Sequence, residues 1–289
     1  MQHPKGYLIA IGGAEDKGTE EEKERQNSLD FFKQGILQQI IELAGKKTEP
    51  KIEVVTTASS IPDEVGQIYK KAFKKLGLVD IGHLKIPSRK EADSKKVLER
   101  LDKCNCLLFS GGDQLRLCSI IGGTDFLDIV RERFEKEHFV IAGTSAGAAA
   151  MSNTMICSGE EAKAYLKGRV ELGIGLGFLR DVIIDTHFDA RGRFGRLVQA
   201  IAAQPGAIGI GLDEDTAVII EKGSRLKAIG SSSVVIVDGS SIKHNNIADI
   251  KNGMPISVAN LQVSVMTNSD LYDIDTREYI GIKFSHHEH

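Results

Sequence analysis

A serine at the centre of Gly143-Thr144-Ser145-Ala146-Gly147 is the residue of this 289-residue chain best placed to react. The segment follows the apolar run Phe139-Val140-Ile141-Ala142 and precedes an alanine-rich stretch, so its G-x-S-x-G pattern falls between a strand and a helix start. A turn that sharp lifts the hydroxyl clear of the sheet, and the flanking glycines avoid collisions. The N–H of Ala146, at the helix start, can then meet a developing oxyanion. Serine is a weak nucleophile and needs a base. Of the eight histidines, only His187 comes directly after a buried β-run, Val182-Ile183-Ile184, at the strand end where open α/β sheets hold their ligands. His3, His244 and the tail histidines lie in polar ends or turns, and His83 and His138 lie within or before strands. The base in turn needs an acid to hold its tautomer. Gly211-Leu212-Asp213-Glu214-Asp215-Thr216 offers three carboxyls, with Glu214 the first choice and Asp213 and Asp215 behind it.

Ser110-Gly111-Gly112-Asp113-Gln114 follows the buried run Cys106-Leu107-Leu108-Phe109. Its paired glycines let the backbone approach a ligand, so the N–H of Gly111 or Gly112 is the natural second oxyanion donor and Gln114 is placed to fix a substrate. Arg191-Gly192-Arg193-Phe194-Gly195-Arg196 puts three guanidiniums close behind His187, with Arg193 and Arg196 on one face if the segment is helical. Guanidinium forks match carboxylates, which points to an acidic substrate. Acyl transfer through serine asks for no metal and no cofactor, and none is expected. The Cys104-Asn105-Cys106 spacing lacks a paired CxxC, and His286, His287 and His289 read as a frayed end.

The elements that must carry these residues alternate. Over residues 7–204 short apolar runs exchange with longer amphipathic ones, as in a parallel sheet with crossover helices. Strands are expected at residues 7–11, 52–56, 81–86, 106–109, 139–142 and 182–184, and helices at 27–44, 63–76 and 94–101. After Pro205 the β-branched runs at 207–220, 226–228, 233–237 and 256–265 read as a C-terminal β-meander. The expectation is α/β: a doubly wound, mostly parallel sheet with flanking helices and that meander, all in one hydrolytic domain over 1–289 with its β-rich part at 205–284.

Bulk composition bounds the partners. The 37 basic and 40 acidic residues leave no field that would draw the whole protein to nucleic acid or an anionic membrane. No apolar run approaches the roughly 20 residues that span a bilayer, and residues 1–6 lack the apolar core of a secretion signal. Cys104, Cys106, Cys118 and Cys157 are too few and too irregular for a disulfide framework and read as reduced packing residues, which suits the cytoplasm. A homodimer is one possible assembly.

Together the motifs resemble the cyanophycinases, relatives of aspartyl dipeptidases within one serine-peptidase family. The resemblance is carried by Gly12-Gly13-Ala14-Glu15, Gly111-Gly112-Asp113-Gln114, residues 143–147, residues 185–196 and Asp213-Glu214-Asp215-Thr216. It implies Ser145 as nucleophile, His187 as base and Glu214 as third member, in the order serine, histidine, acid; α/β-hydrolases run serine, acid, histidine. It also implies that Gln114, Asp185, Arg191, Arg193 and Arg196 line a substrate pocket. The substrate it implies is cyanophycin, an acidic poly-aspartate polymer carrying arginine on each β-carboxyl, cut to β-Asp-Arg dipeptides. Asp185 would suit the arginyl group and the arginines the carboxylates. Thr186, counted with the substrate-binding residues, stands where the family commonly has glutamine, so a dipeptidase acting on aspartyl or isoaspartyl peptides is the alternative. A catalytically inactive acidic-peptide-binding protein is the rival from another class, and Ser145, His187 and Glu214 together argue against it. A nucleotide site at Gly12-Gly13 is disfavoured, since Glu15 and Asp16 would repel a phosphate.

Overall fold

The structure is a computed structural model in which residues 3–23 and 29–281 are described. The start of the helix expected from Asn27, the first two residues and the histidine tail lie outside them.

The chain opens with β1 (Tyr7–Ile11), α1 (Glu20–Lys23), α2 (Ile36–Gly45), β2 (Ile52–Val55), α3 (Pro62–Lys75) and β3 (Ile81–Leu84). It continues through α4 (Arg89–Ala92), α5 (Lys95–Lys103), β4 (Cys106–Phe109), α6 (Gln114–Ile121), α7 (Asp125–Lys136), β5 (Val140–Thr144) and α8 (Ala146–Ala149). Next come β6 (Thr154–Gly159), β7 (Val170–Ile174), β8 (Val182–Thr186), α9 (Phe194–Ala203), β9 (Ile208–Leu212) and β10 (Thr216–Glu221). The last strands are β11 (Arg225–Gly230), β12 (Val234–Asp238), β13 (His244–Asn245), β14 (Val258–Ala259), β15 (Gln262–Met266), β16 (Leu271–Asp273) and β17 (Glu278–Ile280).

Local chemistry sets several of these ends. Asp113 caps α6 by accepting from the N–H groups of Leu115 and Arg116, and Thr124 does the same for α7 through Leu127. In α3, Pro62 opens the first turn, Asp63 and Glu64 follow it, and Lys74 and Lys75 close the last, an order that complements the helix dipole. The helix expected over 27–44 begins only at Ile36, because Gly35 stands extended at its N-cap.

The architecture is mixed α/β around a nine-stranded sheet ordered β17-β16-β11-β10-β1-β5-β4-β2-β3. The stretch from β1 to β3 is parallel throughout. Its central strands β4 and β5 are buried on both faces, which is why Cys106-Leu107-Leu108-Phe109 shows no polar alternation. Leu8 and Ala10 face the core shared with α5, α6 and α7, while Ile9 and Ile11 face the core under α2 and α3.

Two features differ from the sequence expectation. The C-terminal strands do not form one meander: β10, β11, β16 and β17 extend the large sheet antiparallel, whereas β9, β12 and β15 join β8 in a second, four-stranded sheet. The apolar run 207–220 is split by Asp213-Glu214-Asp215, where the chain leaves β9 and crosses to pair with β1. The antiparallel pair β6 and β7 lies outside the strands expected from the sequence. Among the described residues no helix is long and apolar enough to cross a membrane.

Candidate active site

β5 ends at Thr144 and α8 begins at Ala146, so Ser145 occupies the turn between them with φ 51° and ψ −112°. A non-glycine residue there is strained by on the order of 1–3 kcal/mol, and the surroundings must over-determine it. They do: the Ser145 N–H donates to the Ile11 carbonyl at 2.9 Å, and the glycines on either side are in close contact. A Cβ on Gly143 would lie 2.6 Å from the backbone of Gly147, and one on Gly147 would lie 2.3 Å from the Phe109 carbonyl oxygen.

His187 follows β8, the edge strand of the second sheet, yet its Nε2 lies 3.0 Å from Ser145 Oγ. Its Nδ1 lies 2.8 Å from Glu214 Oε1, in the turn after β9. With Nδ1–H donating to the carboxylate, Nε2 is left to accept the serine proton. The three candidate acids divide their work. Asp213 accepts from the N–H groups of Asp189 and Ala190 and from Ser232 Oγ; Asp215 accepts from the Asp16 N–H and from Ser231 Oγ. Glu214 is the one of the three that reaches the imidazole.

Gly111 stands against the serine: a Cβ there would lie 3.4 Å from Ser145 Cβ. Gly112, at φ 140°, lines a cavity of about 210 Å³ beside Ser145 and Ala146. Among the described residues no acceptor takes the N–H of Gly111 or Gly112. Gln114, Asp185, Thr186, Arg191, Arg193 and Arg196 line the same cavity. Gln114 Nε2 donates to the carbonyls of Ile156 and Cys157, both at 2.9 Å, which leaves its carbonyl end for a ligand donor.

The polar groups in this cavity are mostly tied to one another. Asp185, 2 % exposed, accepts through Oδ1 from Arg196 Nη2 at 3.1 Å, and Arg193 Nη1 is 3.5 Å away. Arg193 also donates to the Thr186 carbonyl at 2.8 Å and pairs with Glu161, which Arg196 reaches at 3.6 Å. Two arginines are thus already matched by two carboxylates. Asp185 Oδ2 and Arg196 Nε have no hydrogen-bond partner among the described residues. Burial pushes the Asp185 carboxyl up despite Arg196 and Arg193, and burial lowers Arg196. Arg191 is exposed and its side chain makes no ion pair among the described residues. Nothing local in the sequence distinguishes Glu161 from Glu160. Glu15 is 1 % exposed and accepts from Thr144 Oγ1, next to the serine, at 2.6 Å, a contact no local sequence pattern indicates.

A serine hydroxyl bonded to an imidazole, beside amides that have no acceptor among the described residues, suits acyl transfer through serine, and this chain is a serine peptidase of mixed α/β fold. The model of Peptidase family S51 matches residues 8–228, and the chain belongs to that family. It is 36% identical to a cyanophycinase of Synechococcus elongatus over 274 residues, covering 95% of this chain and 81% of the relative. It is 32% identical over 277 residues to a cyanophycinase of Geminocystis herdmanii, covering 96% and 97%. Among solved structures, a peptidase from an acI-B1 Actinobacterium superposes with a TM-score of 0.63 at 19% identity, covering 94% of this chain and 98% of that one, which supports the fold.

Proposed function

We propose that this protein hydrolyses cyanophycin to β-Asp-Arg dipeptides through an acyl-enzyme on Ser145. The observation that carries the reading is the continuous hydrogen-bonded chain from Ser145 through His187 to Glu214 beside a polar cavity, in a chain more than 30% identical to cyanophycinases along nearly its whole length.

In this reading His187 Nε2 takes the Ser145 proton as Oγ attacks the scissile carbonyl carbon. The oxyanion forms against the N–H of Ala146 and that of Gly111 or Gly112. The imidazolium, stabilised by Glu214, then gives its proton to the departing amine as the C–N bond breaks. Water enters, loses a proton to His187 and attacks the ester, releasing the second product and restoring Ser145. No step needs a metal. Gln114, Arg191 and the carboxylate–arginine cluster around Asp185 hold the substrate, and Thr186 forms part of the wall. The whole chain is read as one domain, and four free cysteines suit action in the reducing cytoplasm.

A second reading, a dipeptidase for aspartyl or isoaspartyl peptides, is favoured by the modest size of the cavity and by Thr186 in its wall. One experiment separates the two. The protein is incubated with chelator present, on cyanophycin and on isoaspartyl and α-aspartyl dipeptides, and products are identified by mass. β-Asp-Arg from the polymer is expected, with loss of at least about 1,000-fold in Ser145→Ala. Cleavage of the dipeptides alone would establish the second reading.

A further inference from the structure

A buried carboxylate lies beneath the reactive turn. Glu15 accepts at Oε2 from Thr144 Oγ1 at 2.6 Å, at Oε1 from the Tyr69 hydroxyl, and pairs with Lys17 Nζ at 3.2 Å. Lys17 Nζ also donates to the Glu15 carbonyl at 2.9 Å and lies 5.4 Å from the centre of the Tyr69 ring. A charge this deeply buried is costly unless it is fully paired, and this one has two hydroxyl donors and a cation. Burial pushes the Glu15 carboxyl up, but the Lys17 charge and the bonds from Thr144 and Tyr69 outweigh it and hold it below the ordinary range.

Its location distinguishes it from an ordinary core ion pair. Glu15 belongs to the turn after β1, and that turn hydrogen-bonds to His187 itself and to the chain neighbours of Glu214 and Ser145. The Gly12 carbonyl accepts the His187 N–H at 2.9 Å, and the Gly13 carbonyl accepts the Asp215 N–H, next to Glu214, at 2.9 Å. Glu15 itself holds Thr144, next to Ser145. His187 and Glu214 come from the second sheet and Ser145 from the first, so this turn is where the two sheets are brought into register at the site.

We propose that Glu15 is a positioning residue for the reaction: through the Thr144 hydroxyl it sets where Ser145 stands relative to His187. The inference rests on Ser145 being the nucleophile. Thr144 makes a clean test, since valine keeps its shape and loses only the hydroxyl, while serine keeps the hydroxyl. Misplacing a reacting group by a fraction of an ångström up to 1 Å slows chemistry by up to about 100-fold without changing what the pocket binds.

The experiment measures kcat, KM and the rate of labelling by a serine-directed phosphonate in Thr144→Val, Thr144→Ser, Tyr69→Phe and Ser145→Ala, with melting temperatures. Thr144→Val is expected to lose about 10- to 100-fold in kcat and in labelling rate, with KM within about two-fold. Thr144→Ser is expected to recover to within about three-fold of the parent, and Tyr69→Phe, which removes a donor from the same carboxylate outside β5, to give a weaker form of the same signature. Parent-like kcat in Thr144→Val, with Ser145→Ala inactive, would overturn the positioning role and leave the triad reading intact. Equal impairment of Thr144→Val and Thr144→Ser would assign the effect to packing and overturn it too. Activity retained in Ser145→Ala would overturn both.

Discussion

Arg191, Arg193 and Arg196 belong to one short segment and face one cavity, but they are held differently. Arg193 and Arg196 sit against Asp185 and Glu161, whereas Arg191 is exposed and makes no ion pair among the described residues. On the proposed function, a substrate carboxylate would meet one guanidinium at the rim that has no ion pair among the described residues and two that already have partners. A charge-assisted hydrogen bond of this kind contributes about 1.5–3 kcal/mol, or roughly 10- to 150-fold. Arg191→Gln is expected to lower kcat/KM on an acidic substrate by about that factor, mainly through KM, with the melting temperature unchanged. Arg196→Gln should behave differently, because it leaves the buried Asp185 carboxylate short of its shortest cationic contact. Breaking a buried pair on one side costs about 3–5 kcal/mol, so a fall in melting temperature on the order of 10 °C is expected. Thermal scans and steady-state kinetics on both variants check this, and matching profiles would contradict the division of roles.

The turn between β1 and α1 works as an element with a single steric requirement at its centre. Gly13 has φ 117°, and a Cβ there would lie 2.4 Å from His187 Cε1 and 2.6 Å from Nε2. The imidazole lies against a backbone that has no side chain, and that contact is expected to help hold Nε2 toward Ser145. Gly13→Ala is expected to lose about 100-fold in kcat, with a smaller change in KM, and to be destabilised by about 1 kcal/mol or more through backbone strain. Phosphonate labelling should slow in parallel. A variant that labels and turns over at the parental rate would show that the ring has room to move and that the contact does not position it.

At the scale of the molecule, the β-rich C-terminal part supplies strands to both main sheets. β10 pairs along the whole of β1, and β9 pairs along the whole of β8, so removing residues after 204 would strip partners from two strands that end at the site. The exposed edges would carry unpaired backbone groups and the apolar faces of both main cores. The full chain is expected to melt in one transition whose calorimetric and van't Hoff enthalpies agree, and a fragment of residues 1–204 to show no cooperative unfolding. Two separated transitions, or a fragment that melts cooperatively, would divide the chain into two units.

What the sequence alone determined was local in origin. Ser145 could be located because an apolar strand, a small-residue turn and a helix start follow one another within a dozen residues. β4 was legible because four consecutive apolar residues admit few other readings, and His187 stood out because it ends the Val182-Ile183-Ile184 run. The tertiary structure decided which separated groups meet. It set Glu214 rather than Asp213 or Asp215 against the imidazole, since the neighbouring acids are occupied by N–H groups and serines distant in the chain. It matched Arg193 and Arg196 to Glu161, put β8 in the second sheet, and placed Glu15 under Thr144, which is 129 positions away in the chain. Periodicity and turn residues report which way a side chain faces and where a strand stops. The partner of a buried carboxylate depends instead on strand order and register, and these follow from packing summed over the whole chain, which leaves no signal in any short stretch of it.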